Sequence, residues 1–157
     1  MFATAAAIAV AAGALLVSTA SAEPPGNPGR AQDITVISRA TSINRLALSN
    51  PPQTGDRWTF RDDLFSSTTL GTKIGRADGE CVLIDPVEFR FECTITNSLP
   101  DGDLMTHGSL TAVQGSTSTG AIIGGTRAYT TARGEATITL GPLGGPHEAT
   151  FSVTSRP

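Results

Sequence analysis

Residues 120–138 read GAIIGGTRAYTTARGEATI. Two isoleucines, Ile122 and Ile123, run straight into Gly124-Gly125-Thr126. A short extended segment follows, then Ala132-Arg133-Gly134, then alternating small and apolar residues. Paired glycines between two β-prone runs mark backbone that needs positive φ or close approach. Taken locally, the stretch predicts a strand, a tight corner and a second strand.

The same punctuation continues outward in both directions. Downstream, Gly141-Pro142 through Pro146 separates residue 140 from a further strand at 147–155. Upstream, Pro100-Asp101-Gly102 and Asp85-Pro86 divide three more β-prone runs. The full reading is eight strands, at 34–40, 57–66, 71–84, 89–99, 103–113, 119–123, 128–140 and 147–155, with the third bent at the glycines of 75–79. In the second strand Trp58, Phe60, Asp62 and Leu64 alternate against Thr59, Arg61, Asp63 and Phe65. In the first, Ile34, Val36 and Ser38 share a face. Gly or Pro interrupts most windows in which a helix could form. Short links favour antiparallel neighbours, and closing the sheet removes its exposed edges. The fold class is therefore all-β, a single eight-stranded antiparallel barrel over 34–157.

Ahead of the barrel, residues 1–22 carry no Lys, Arg, Asp or Glu. Residues 5–17 are an unbroken small-apolar run, and Ala20-Ser21-Ala22 is an A-x-A cleavage pattern. This reads as a secretory signal peptide cut after Ala22, and it places the protein outside the cell. Residues 23–33, EPPGNPGRAQD, are too polar and too rich in Pro and Gly to bury apolar area, and are expected to be flexible. The net charge of −3 gives no electrostatic footprint for nucleic acid. No basic amphipathic stretch suits a membrane surface.

The two cysteines, Cys81 and Cys93, are symmetric about Val87 at the centre of the 85–89 turn. Residues symmetric about a hairpin centre lie opposite each other, and an exported protein meets an oxidising compartment. A disulfide is expected; two free buried thiols or two metal ligands are the alternatives. No third or fourth ligand stands at zinc spacing, so no metal is expected.

Parity then sets the interior. Cys81 and Leu83 share a face with Phe89, Phe91, Cys93 and Ile95. Ala132, Gly134 and Ala136 give one wall small inward residues. Opposite Trp58 and the phenylalanines they leave room for a pocket; a filled core is the competing outcome. Trp58, Phe60, Leu64, Phe91, Ile95 and Tyr129 are the ligand-binding candidates. Asp62 is in phase with the apolar face, where burial would raise its pKa and suit it to acid–base work; the alternative is a hydrated carboxylate near the strand end. His107 and His147 are isolated and read as structural or solvated. Ser-His-Asp, Walker and Rossmann patterns are all missing from the sequence.

Three pieces in register carry a resemblance: RDDLF at 61–65, GTKIGRADG at 71–79 and the corner at 120–138. Together they resemble the plant dirigent proteins and their relatives in the allene oxide cyclase-like barrel superfamily, over residues 34–153. Dirigent proteins show an Asp-Asp pair, a GRAQG-type turn and a GGTG-x-F-R-x-A-R-G corner. Here Arg127 stands for the last glycine of GGTG, and Tyr129-Thr130 for Phe-Arg. The resemblance implies a cavity that works without a cofactor. Allene oxide cyclases isomerise an oxidised lipid, dirigent proteins hold phenoxy radicals for stereoselective coupling, and bacterial relatives cyclise polyketides. It adds Arg133, in the ARG piece, to Asp62 as a catalytic candidate, although regular alternation points Arg133 outward with Tyr129 and Glu135. The expected partner is a small apolar molecule, with homo-oligomerisation left open. Fold resemblance leaves two classes side by side: a cofactor-free cyclase or isomerase, and a non-catalytic lipocalin-like carrier.

Overall fold

The computed structural model describes residues 31–44, 49–66, 72–142 and 145–154. Eight strands run in chain order: β1 Ala31–Asn44, β2 Arg57–Ser66, β3 Lys73–Asp85, β4 Arg90–Leu99, β5 Gly102–Thr111, β6 Thr117–Gly125, β7 Arg133–Thr139 and β8 Pro146–Thr154. Each pairs antiparallel with the next, and β8 returns to pair with β1, so the sheet closes into a barrel. This is the fold class expected from the alternation. The period of two sends one face of every strand inward. Phe91, Phe151, Leu64, Leu83, Leu104, Ile122 and Val36 are the large side chains so buried.

The register places Cys81 directly opposite Cys93, and a disulfide joins them inside the β3–β4 wall. Basic side chains of β2 and β3 point outward and are paired there: Arg57 with Glu80, Lys73 with Asp63 at 2.6 Å, and both Arg61 and Arg76 with Asp78 at 2.7 Å.

Three sequence expectations change. β1 begins at Ala31, because Ala31, Gln32 and Asp33 pair with Thr154, Val153 and Ser152 of β8. That removes the last three residues from the expected flexible segment 23–33; its remainder and the signal segment 1–22 lie outside the described residues. The glycines of 75–79 do not make a turn. They lie within β3, where Gly79 faces the ring of Phe60 so closely that a Cβ would strike it. The glycine is there for close approach rather than for bending. The seventh strand does not begin at 128. Arg127–Tyr129 is instead a turn of 3-10 helix, and β7 starts only at Arg133.

The two ends of the barrel are built differently. At one end the 3-10 turn is pinned to the β4–β5 connection. Thr126 N–H donates to the Asp103 carbonyl at 2.9 Å, the Asp103 N–H donates to Thr126 Oγ1 at 3.0 Å, and Ala128 N–H donates to the Asp101 carbonyl at 3.2 Å. Gly125 lets this happen, since a Cβ there would collide with the Asp103 carbonyl and with Tyr129. Tyr129 is thereby driven into the barrel end, 7% exposed, and joins the apolar core there. At the other end the β1–β2 loop is fixed by Asp56. Its carboxylate accepts from Gln53 N–H and Ser49 N–H at 2.9 and 2.8 Å, and from Ser49 Oγ at 2.9 Å. Those hydrogen bonds, led by the one from Gln53, hold Asp56 below the ordinary carboxylate pKa against the effect of its burial. Among the described residues, that end carries no plug like Tyr129.

Candidate functional site

A cavity of about 420 Å³ fills the barrel between these two ends. That volume is within the range of small-molecule sites. Its walls descend strand by strand. Along β2 the inward order is Trp58, Phe60, Asp62 and Leu64; along β4 it is Phe91, Ile95 and Asn97. Ile43, Pro52, Phe89, Gln114 and Leu140 stand around the open end. Phe89 and Ile43 are there 44% and 49% exposed, whereas Asp62, Asn97 and Thr106 are 4–6% exposed. The cavity is thus an apolar shaft that ends on buried polar groups.

Trp58 and Phe91 make the shaft's most ordered contact. Their rings stack with centroids 4.3 Å apart and planes 18° from parallel. The Trp58 indole N–H is buried without a hydrogen-bond partner among the described residues.

Asp62 is the chemically distinctive group. It pairs with Ala40 of β1 and Ala77 of β3, two small residues that let the carboxyl lie in the interior. Ser38 Oγ donates a short hydrogen bond to Asp62 Oδ2. Burial pushes the Asp62 carboxyl above its ordinary pKa; the Ser38 hydrogen bond and the charge of His147 oppose the shift, while Asp63 adds to it. His147 reaches the same cavity from β8, where it is the cross-strand partner of Ser38. Its Nδ1 accepts the Gly141 N–H at 3.0 Å, which assigns the neutral ring's proton to Nε2. Burial pulls the imidazole below its ordinary pKa, against the attraction of Asp62. One wall therefore presents a hydroxyl, a carboxyl biased toward its neutral form and a neutral imidazole.

The structure brings Trp58, Phe60, Asp62, Leu64, Phe91 and Ile95 to one cavity. It does not bring Tyr129 or Arg133 there. Tyr129 is spent on plugging the closed end, where burial and then the charge of Asp101 push its phenol above the ordinary value. Arg133 opens β7 at that same end with its side chain exposed, and its Nη1 donates to the Ala132 carbonyl at 2.6 Å. Sequence reasoning missed Ser38, Asn97, Thr106 and His147 as cavity groups. Ser38 and His147 did carry a signal, since each was in phase with inward apolar neighbours.

No family model matches the chain, and no curated protein matches it. Solved structures do. A pyocyanin demethylase is similar with a TM-score of 0.67 at 24% identity, over 78% of this chain and 100% of that one. The pterocarpan synthase dirigent protein GePTS1 is similar with a TM-score of 0.64 at 17% identity, over 82% of this chain and 86% of that one. AbnU, an exo-specific intermolecular Diels-Alderase, gives 0.66 at 16% identity, over 80% and 98% respectively. At such identities the likeness is one of fold. The chain has the closed eight-stranded antiparallel barrel found in the dirigent proteins and in the Diels-Alderase barrels.

Proposed function

We propose that the protein binds one small, largely apolar molecule inside its barrel and guides a cyclisation, isomerisation or stereoselective coupling of it that needs no cofactor. The observation that carries this reading is the 420 Å³ apolar cavity with the Asp62 carboxyl buried in its wall. A narrow cavity restricts the conformations of a flexible substrate, and such restriction alone lowers the barrier to ring formation or coupling. Asp62 is the proton donor or acceptor in this scheme. A carboxyl with a raised pKa can give a proton to a developing oxyanion or take one from an acidic carbon. His147 and Ser38 set its charge and hold its orientation. The fold shared with dirigent and Diels-Alderase barrels supports the reading without fixing the substrate. The Cys81–Cys93 disulfide supports export to an oxidising compartment.

Native mass spectrometry of protein purified from its own culture medium tests occupancy, and N-terminal sequencing of the same material should begin at Glu23. Asp62→Asn then separates a catalyst from a carrier. Binding of the co-purifying molecule should persist while its conversion slows by roughly 10²-fold or more. Unchanged conversion in Asp62→Asn removes Asp62 from the mechanism.

A further inference from the structure

The polar groups of the cavity are not scattered. On β1, β2, β4 and β5 they occupy the level just above the apolar residues that seal the closed end. Ser38 follows Val36, Asp62 precedes Leu64, Asn97 precedes Leu99, and Thr106 follows Leu104, each two residues from its seal and so on the same face. The register confirms one row: Asp62 lies opposite Ala77, and Ala77 opposite Asn97. Asp62 and Asn97 are therefore two strand spacings apart, about 10 Å at the backbone. Only the small Ala77 stands between them. Above this row the same strands carry Trp58, Phe60, Phe91 and Ile95.

The row has hydrogen-bonding capacity to spare. Asp62 Oδ2 takes the Ser38 hydroxyl, and Oδ1 has no hydrogen-bond partner among the described residues. Asn97 commits one N–H to the Leu104 carbonyl at 3.3 Å, and its other N–H and its Oδ1 have no partner among the described residues. Thr106 Oγ1 has no hydrogen-bond partner among the described residues. These atoms open onto the cavity, so a ligand that displaces water from them must supply hydrogen bonds in its place, and gains specificity by doing so. The row has no cation. Asp62 and His147 are the ionisable side chains among the described lining residues, and no Lys or Arg joins them. The arginines and the lysine of β2 and β3 are committed to carboxylates on the outer surface. An anionic head in this row would be desolvated beside Asp62 with nothing to neutralise it. A cationic head would be desolvated in a largely apolar shaft with only the one Asp62 carboxyl to pair with it.

Given that the cavity is the ligand site, we propose that it takes an uncharged amphipathic molecule head-down. The head carries hydroxyl or carbonyl groups onto Ser38, Asp62, Asn97 and Thr106. The apolar body lies against Trp58, Phe60 and Phe91. Carboxylate-headed molecules such as fatty acids are rejected.

Four probes with one ring system and different heads decide this: naphthalene, 2-naphthalenemethanol, 2-naphthoate and 2-naphthylmethylammonium, titrated calorimetrically into the full chain at pH 7. The alcohol should bind about fivefold tighter than naphthalene, the worth of one hydrogen bond. It should bind at least tenfold tighter than the carboxylate. Thr106→Val and Asn97→Ala should erode the alcohol's advantage over naphthalene, read as the ratio of the two affinities within each variant; Thr106→Val keeps shape and volume if Asn97→Ala fails to fold. Equal binding of alcohol and naphthalene overturns the head-down orientation. Carboxylate or ammonium binding as tight as the alcohol overturns the neutral-head rule. If none of the four binds, the reading of the cavity as a ligand site fails first, and this proposal goes with it.

Discussion

The two ends of this barrel solve opposite problems with related devices. Each carries a non-glycine residue in the left-handed region, Arg127 at φ 53° and Phe89 at φ 51°. At the closed end, that conformation turns the chain into the 3-10 segment that drops Tyr129 into the core, and the Arg127 side chain itself is exposed. At the open end it aims an aromatic ring at the cavity mouth. One residue bends the chain so that another can fill space; the other is itself what faces the space. The difference teaches where stability and where binding are stored. Both ends are hydrogen-bonded, but the closed end adds the buried Tyr129 ring, whereas Ile43, Val87, Phe89 and Val113 leave apolar surface exposed around the mouth.

The largest effect is expected from removing the plug. Tyr129→Ala should lose about 3–5 kcal/mol of stability, as large-to-small changes of buried aromatics do. In the folded fraction, naphthalenemethanol affinity should be kept, because Tyr129 does not line the cavity. Chemical denaturation and calorimetry measure the two separately. A loss of affinity with little loss of stability would reverse the assignment and return Tyr129 to the ligand site.

Much of this asymmetry was legible in the sequence. Alternation alone placed Trp58, Phe60, Asp62 and Leu64 on the interior face, and hairpin symmetry alone paired Cys81 with Cys93. Both are period-two arguments, and the sheet obeys them wherever pairing is regular. Errors came where the backbone leaves the ladder. Residues 128–132 looked like strand because they are small and β-prone, yet Gly125 and Arg127 take the chain into a helical turn. The glycine that resembled sequences place at 127 marked the conformation: Arg127 occupies it at positive φ regardless. The polar row was missed for another reason. Asn97 and Thr106 are polar residues on inward-facing phases of neighbouring strands, and the register across β4 and β5, with Thr106 opposite Ile95 and Asn97 opposite Leu104, shows that they flank one end of the cavity.

A second contrast concerns pH, and it belongs to the open cavity rather than the plug. Asp62 has a folded pKa above its ordinary value, so its contribution to stability is complete below about pH 3.9 and is lost as pH rises through the folded pKa. His147 is shifted down, so its contribution is complete above about pH 6.5 and is lost as pH falls through its folded pKa. Asp62→Asn should therefore flatten the decline seen on raising the pH from 4, and His147→Gln the decline seen on lowering it from 6.5. Denaturant midpoints across pH 3–8 would show it. Parallel profiles for all three proteins would mean that neither group is desolvated by the fold.

The paired positive-φ residues allow a closer test. Arg127→Gly should raise stability by up to about 1 kcal/mol, since glycine relieves the left-handed strain and little is buried to lose. Phe89→Gly relieves the same strain but gives up a half-buried ring, so its net change in stability should be smaller. Its ligand affinity should fall, whereas that of Arg127→Gly should not. If both variants bind probe equally well, the aromatic ring at the mouth is only a turn residue, and the contrast between the ends loses its functional half.

The smallest expected effect is at Arg133. Its place in the ARG piece made it a catalytic candidate, yet its guanidinium donates to the adjacent Ala132 carbonyl and lies 3.6 Å from where a Cβ on Gly124 would be. It is exposed at the closed end, on the far side of the Tyr129 plug from the mouth. A substrate in the cavity has no route to it through that plug. Surface changes of this kind usually stay within about 0.5 kcal/mol. Arg133→Ala should therefore leave the melting temperature, naphthalenemethanol affinity and conversion of any co-purifying molecule almost as they are. The informative failure is specific: slower conversion with affinity and stability intact. That result would put chemistry at the closed end, and the plug would then have to open during turnover, which the Tyr129→Ala protein would reveal as faster conversion.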